Sequence, residues 1–286
     1  MGTTGDQDDV EVLSEALLAS VEEDAENENA TGIPDAVITV IGALRSLGID
    51  FVRRYHRLEI DSDVAVPDGP VLFVANHGFG GIFDLNVFSI LAAFEDVGLD
   101  RPVTALTHQI AWTLQVGRLL EPFGARPASR EAAMEAFARQ EHVLVLPGGD
   151  VDAFKAFEDR DRIVFDGRSG FARLAIDAGV PIVPIVTAGA GESLYVLSDG
   201  QRLARAMRLD KLLRTKAMPV SVSLPWGLNV GAVGLLPYLP LPTKLLSAVL
   251  PPMTAADGES AAEFAARVED AMQARLTALA DQRRRP

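Results

Sequence analysis

Residues 71–84 read VLFVANHGFGGIFD. Five apolar residues, Val71 to Ala75, have the length and composition of a buried strand, and the turn Pro67-Asp68-Gly69-Pro70 precedes them. The run breaks at Asn76-His77, where Gly78, Gly80 and Gly81 open a loop before a helix expected over about Asp84–Phe94. A histidine at the carboxyl end of a strand stands at the open edge of an α/β sheet, where ligands bind. An aspartate seven residues on is placed to accept a hydrogen bond from the imidazole. That bond would fix the tautomer and leave the other ring nitrogen as a base. On one continuous helix these positions would lie about 10 Å apart, so the glycines must loop for His77 and Asp84 to touch. The plainer alternative is a helix-capping Asp84 beside an ordinary surface histidine.

Working outward, the pattern repeats. A strand is expected near Val103–Leu106, a helix around Ala111–Leu120, a loop at Gly124–Arg130 and a helix over Arg130–Arg139. A short buried strand, His142–Leu146, ends in Pro147-Gly148-Gly149. A helix over Ser169–Ala178 leads to a strand, Pro181–Thr187, whose prolines limit ladder pairing. Residues 219–253, rich in Pro, Gly and Leu, are expected to be irregular with one or two strands, and Glu259–Gln282 to form an amphipathic helix. This alternation predicts a single α/β domain, its central sheet mostly parallel or mixed and flanked by helices.

Composition narrows the chemistry. There are no cysteines, which excludes disulfides, zinc thiolates and cysteine nucleophiles. His56, His77, His108 and His142 are too scattered for a metal site, and none is expected. The net charge is −14, but residues 1–44 carry eleven acids and no Lys or Arg, and the remainder holds 29 acids and 26 bases. The acidity therefore belongs to a tail, residues 1–32, expected to be disordered apart from a short helix over Val10–Val21. Its sign argues against a nucleic-acid partner. The N-terminus lacks the basic start of a secretory signal, and no apolar run reaches the roughly 20 residues of a membrane span. The apolar stretch 33–52, followed by Arg53, Arg54 and Arg57, reads as a helix (33–58 with its basic end) that docks in a membrane interface or packs on the domain. The segment 235–252 leaves the same two readings open. No G-x-S-x-G, G-x-x-x-x-G-K-[ST] or complete G-x-G-x-x-G occurs.

Taken in order over about residues 55–250, four segments resemble the glycerolipid (lysophospholipid) acyltransferase superfamily. Asn76-His77 with Asp84 resembles its first motif, lengthened by glycines as in the branch near the neutral-glyceride (mono- and diacylglycerol) acyltransferases. Gly124 to Arg130, with Arg126 between, resembles the second. Pro147-Gly148-Gly149 with Asp152 resembles the third, with Gly148 in place of a glutamate and Val151 in place of an arginine. The proline strand 181–184 resembles the fourth. The resemblance implies a catalytic pair, His77 and Asp84, and substrate contacts from Asn76, Gly124, Arg126, Arg130, Pro147, Gly148, Gly149 and Asp152. It implies acyl-CoA or acyl carrier protein as co-substrate, no other cofactor, a membrane-lipid acceptor and a cytoplasmic enzyme peripheral to the inner leaflet. Loss of the third-motif glutamate and arginine points away from a phosphate-bearing acceptor. Rival readings are a lysophospholipid acyltransferase, a lipid-binding protein on the same scaffold, and a hydrolase. Deleting residues 1–30 is expected to leave turnover intact; loss of turnover in a truncated protein that remains folded would refute the disordered-tail reading.

Overall fold

The computed structural model describes residues 34–78, 84–107, 112, 117, 120–201, 219–230 and 238–285. The acidic tail and its expected helix, the glycines at 80 and 81, and most of the expected helix Ala111–Leu120 lie outside the described residues. In chain order the elements are α1 (Asp35–Arg54), β1 (Glu59–Asp61), β2 (Leu72–Ala75), α2 (Leu85–Val97), β3 (Val103–Thr107), β4 (Ala125–Pro127), α3 (Arg130–Ala138) and β5 (His142–Val145). Then follow α4 (Gly149–Ala153), α5 (Gly170–Ala178), β6 (Ile182–Ala188), β7 (Tyr195–Ser198), β8 (Val220–Ser223), β9 (Gly227–Val230), β10 (Leu246–Val249) and α6 (Ala261–Arg284).

The main sheet runs β1-β10-β6-β2-β5-β3-β4, parallel throughout except where β10 lies antiparallel to β6. This is the mostly parallel, mixed α/β sheet expected from the sequence. Its central strands are apolar on both sides because helices cover both faces. Leu72 and Val74 point into a core with Phe137, Phe171, Phe264, Val268 and Met272 from α3, α5 and α6. Val71, Phe73 and Ala75 point the other way, against Ile90, Ala93 and Phe94 of α2. Pro184 sits inside β6, where it accepts from the N–H of Leu250 and needs no donor of its own.

Three expectations need correction. The loop Gly124–Arg130 contains the edge strand β4, paired with β3 at Ala105↔Ala125. Pro147-Gly148-Gly149 opens a one-turn helix rather than a loop, since the N–H of Asp152 reaches back to Gly148 O. The segment 219–253 holds three strands: β10 in the main sheet, and β8 and β9, which join β7 in a separate antiparallel sheet. Helix α1 packs on α2 through its C-terminal half, where Gly48 lies against the ring of Phe88. Arg53, at the basic end of this helix, donates to Asp96 at 2.6 Å and to Ala92 O, so this end packs on the domain, the second of the two readings left open by the sequence. Val40, Leu44 and Leu47 of α1 stay exposed.

Helix α6 starts in a capping box between Ser260 and Glu263 and buries a stripe of Val268, Met272, Leu276 and Leu279. Near its end the guanidinium of Arg283 donates to Glu192 at 3.0 and 2.6 Å and to Lys244 O at 2.6 Å. Glu192 follows β6 directly, so this pair ties the last helix to the end of the central strand. Burial pushes the Glu192 carboxyl up, but the hydrogen bonds and charge of Arg283, helped by Arg160, bring it below its ordinary value. A depressed carboxyl stabilises the fold above its unfolded pKa and stops doing so as the pH falls. Glu192→Gln is therefore expected to lose about 1–3 kcal/mol near pH 7 in chemical denaturation. The gap to wild type should persist down to the ordinary carboxyl value of 4.5 and narrow progressively as the pH falls below it.

Candidate active site

The site forms where β2 leaves the sheet. At Asn76 the main chain turns away, but the side-chain amide carries the ladder one step further: Oδ1 accepts from Thr187 N–H at 3.0 Å and Nδ2 donates to Thr187 O at 3.1 Å. Asn76 O accepts from Asn86 Nδ2 at 2.8 Å, which ties the strand exit to the first turn of α2. Asn76 is thus a buried structural hinge.

The main chain of His77 is gripped on both sides. Its N–H donates to Asp152 Oδ2 at 2.7 Å, and its carbonyl accepts from Lys155 Nζ at 3.4 Å. Asp152 is fully buried; its Oδ1 accepts from Lys155 Nζ at 2.8 Å, and the same ammonium donates to Arg162 O at 2.8 Å. Both carboxylate oxygens are thereby engaged, and the expected substrate contact of Asp152 gives way to a supporting role beneath the histidine. Gly148 is required by this arrangement. A Cβ there would collide with the Asp152 side chain and come within 2.6 Å of Val164 O. Gly149 adopts a positive φ of 53° with the guanidinium of Arg168 packed against it, and that guanidinium donates to Pro147 O at 2.7 Å.

The imidazole of His77 meets Asp84 at 2.9 Å, Nδ1 to Oδ2. The other oxygen, Oδ1, accepts from Asn86 N–H at 2.9 Å and caps α2. The two readings of Asp84 offered by the sequence are therefore both true: it caps the helix and holds the histidine. The helix N-terminus favours the negative charge of that carboxylate. In the tautomer whose Nδ1–H donates to Asp84, Nε2 carries the lone pair. The His77 side chain is 20% exposed against 8% for Asp84, so the imidazole reaches solvent while the carboxylate is largely covered. The other described histidines do different work. His142 Nδ1 accepts from Val71 N–H deep in the sheet, and His56 is buried against Phe51 and Tyr55. Burial holds both below their ordinary pKa. Among the described residues no cluster of three His, Asp or Glu side chains is placed to hold a metal ion.

Asn76, His77, Asp84, Gly148 and Asp152 thus come together, with Pro147 and Gly149 adjoining through Arg168. Among the described residues, no hydrogen bond or ion pair joins Gly124, Arg126 or Arg130 to them. Gly124 makes a tight turn at φ 87°, Arg126 donates to Glu121 O and Ala125 O, and Arg130 pairs with Asp177 at 3.0 Å. Sequence reasoning missed Lys155, Asn86, Thr187 and Tyr238. Tyr238 is buried, and its hydroxyl is pushed up to about 12 by burial, with Ser193 opposing and the charge of Asp84 adding. The spacing of Lys155 three residues after Asp152 was the available signal for that pair; the others are long-range partners with none.

The description "Acyltransferase" is that of the protein-family model matching residues 55–188, the span that holds this whole arrangement. Those residues belong to the acyltransferase family. An uncharacterized protein of Mycobacterium tuberculosis is 31% identical over 209 residues, 72% of this chain and 55% of that protein. A Gallus gallus protein described as a DGAT1/2-independent enzyme synthesizing storage lipids is 25% identical over 227 residues, 79% of this chain and 60% of its own length. The chain therefore spans little more than half of these relatives. Its fold matches the crystal structure of the 1-acyl-sn-glycerophosphate (LPA) acyltransferase PlsC from Thermotoga maritima, with a TM-score of 0.50 at 14% identity over 86% of this chain and 82% of that one.

Removing Asp152 would strand the Lys155 ammonium beside the His77 carbonyl. Asp152→Ala is expected to cost about 3–5 kcal/mol in chemical denaturation. A loss within the scatter of surface substitutions would show that the buried pair does not hold the site.

Proposed function

We propose that this acyltransferase-family protein moves a fatty acyl group from a thioester donor, acyl-CoA or acyl carrier protein, onto the hydroxyl of an uncharged glycerolipid at a membrane surface. The observation that carries this reading is the 2.9 Å bond between His77 Nδ1 and Asp84, which leaves Nε2 as a partly exposed base on a fixed main chain. Nε2 takes the proton of the acceptor hydroxyl as its oxygen attacks the thioester carbonyl. Asp84 stabilises the imidazolium so formed. Collapse of the tetrahedral intermediate breaks the carbon–sulfur bond, and the departing thiolate takes the proton from Nε2, leaving an ester and a free thiol. No protein nucleophile is required.

The preference for an uncharged acceptor rests on the charges around the histidine. Lys155 is spent on Asp152, Arg160 lies over Phe157 and pairs with Glu192 at 3.4 Å, and Arg168 serves Pro147 O. A phosphate on the acceptor would find these cations already engaged. Gly148, where the resemblance places a glutamate elsewhere in the superfamily, has no room for a side chain of any kind. The description of the Gallus gallus relative as an enzyme of storage lipids agrees with an uncharged acceptor.

The test is transfer from radiolabelled oleoyl-CoA in detergent micelles to monoacylglycerol, diacylglycerol and lysophosphatidate in parallel. Transfer to the glycerides is expected to exceed that to lysophosphatidate, and His77→Ala to lower it by about 10²–10⁴ with folding intact. Asp84→Asn should fall in the same direction. Preference for lysophosphatidate would overturn the acceptor assignment, release of free oleate in every lane would indicate a hydrolase, and absence of any turnover with either donor would leave a binding protein.

A further inference from the structure

The small sheet β7-β8-β9 is built inside out. In an antiparallel sheet with one face on the protein and one in water, apolar residues turn inward and polar residues outward. Here β8 buries Ser221 and Ser223 against the body and exposes Val222. The register sets Tyr195, Val222 and Leu228 side by side across the three strands on the outer face, and Val220 beside Val230. Leu228 is 67% exposed, and Leu197 and Trp226 are 50% exposed. An outer face of this kind is stable when something apolar covers it.

We propose that this face is the surface by which the protein enters the apolar boundary of a lipid bilayer carrying anionic headgroups. This deepens the proposed function and rests on its premise that the substrates are lipids. Three observations favour a bilayer over a second copy of the chain. The sequence linking β7 to β8 carries Arg202, Arg205, Arg208, Lys211, Arg214 and Lys216 against Asp199 and Asp210, in a chain whose net charge is −14. Basic residues joined to an apolar face are the composition that anionic lipid attracts. Trp226 lies in the tight turn between β8 and β9, and indole rings partition to the headgroup boundary. The sheet also adjoins the candidate site: Tyr195 packs on Phe157 with the rings tilted and their centroids 4.7 Å apart, and Val196 borders the same recess as Gly78 and Lys155. A bilayer on this face would meet the protein beside His77.

The experiment is flotation of the full chain with phosphatidylcholine vesicles, with and without phosphatidylglycerol. Fluorescence of Trp226 is read in a Trp112→Phe background, and flotation of the unsubstituted chain stands if that variant does not fold. Binding is expected to require phosphatidylglycerol and to weaken with salt. Trp226 emission should shift to the blue and be quenched by brominated acyl chains. The exposed-site variant Leu197→Ser/Leu228→Ser should bind roughly tenfold or more weakly. His77→Ala should float as wild type does, so the docking result does not depend on turnover. Flotation with Trp226 unquenched, failure to float, or a concentration-dependent dimer lost in the Leu197→Ser/Leu228→Ser variant would each overturn the proposal. Vesicle binding without transfer to any acceptor would sink the catalytic reading and leave the docking face standing; transfer in micelles without vesicle binding would do the reverse.

Discussion

A buried carboxylate organises the catalytic edge. Asp152 is removed from water, and a charge so placed is tolerable when it is paired and its oxygens are hydrogen-bonded. Lys155 supplies the counter-charge and His77 supplies a main-chain donor. Several local features follow from this demand. The chain must begin a helix as soon as β5 ends, so that Asp152 lies under the end of β2. The residue at 148 must be glycine, because the aspartate occupies the space a side chain would need. The ammonium must find a third acceptor, which it does in Arg162 O, drawing the 155–162 segment against the site. The imidazole therefore rides on a backbone held at both its N–H and its C=O, and Asp84 removes the side-chain freedom that remains.

The central strands were legible because burial on both faces leaves a single kind of residue. β2, β5 and β6 are short, apolar and bounded by Gly, Pro or Asn, and their ends fell within one or two residues of expectation. The meeting of His77 with Asp84 was legible too, since a capping aspartate after a glycine loop can turn back on the strand it follows. Where the local signal was ambiguous, the reading failed. Ala125-Arg126-Pro127 pairs as an edge strand although its residues are those of a turn, because β3 offers it a free ladder edge. The sequence left Arg53 open between a lipid-facing and a packing role; Asp96 of α2 stands beside it, and an acid from another element cannot be read from spacing. The serine–valine alternation of β8 has the right period for a strand, yet the period does not say which face turns inward.

Asp84 does two jobs with its two oxygens, and this couples His77 to the fold. Through Oδ1 it starts α2, a helix whose buried face covers one side of the sheet; through Oδ2 it orients His77. Asn86 extends the coupling, since its N–H binds Asp84 and its side chain binds Asn76 O. Strand exit, helix start and imidazole are thus closed into one small network of hydrogen bonds. Such a network sets geometry more firmly than any single contact, because moving one member strains the others. The network holds the His77 imidazole in place with few free charges around it.

The same edge sets where an apolar substrate would have to arrive. β6 carries the chain to the catalytic edge, passes through the short turn Ala190–Glu192, and becomes β7 of the inverted sheet within a few residues. At that turn Glu192 is held by Arg283 from α6 and by Arg160, whose guanidinium lies over Phe157, the ring that packs on Tyr195. The exposed sheet is consequently no loosely tethered appendage. Its position relative to His77 is fixed by ion pairs at its root and by Leu194, Val196 and Tyr238 packed beneath it with Phe154. An apolar platform held beside His77 suits the proposed reaction, whose substrates would themselves lie in a surface, because both partners would then meet in a fixed geometry rather than by search in solution.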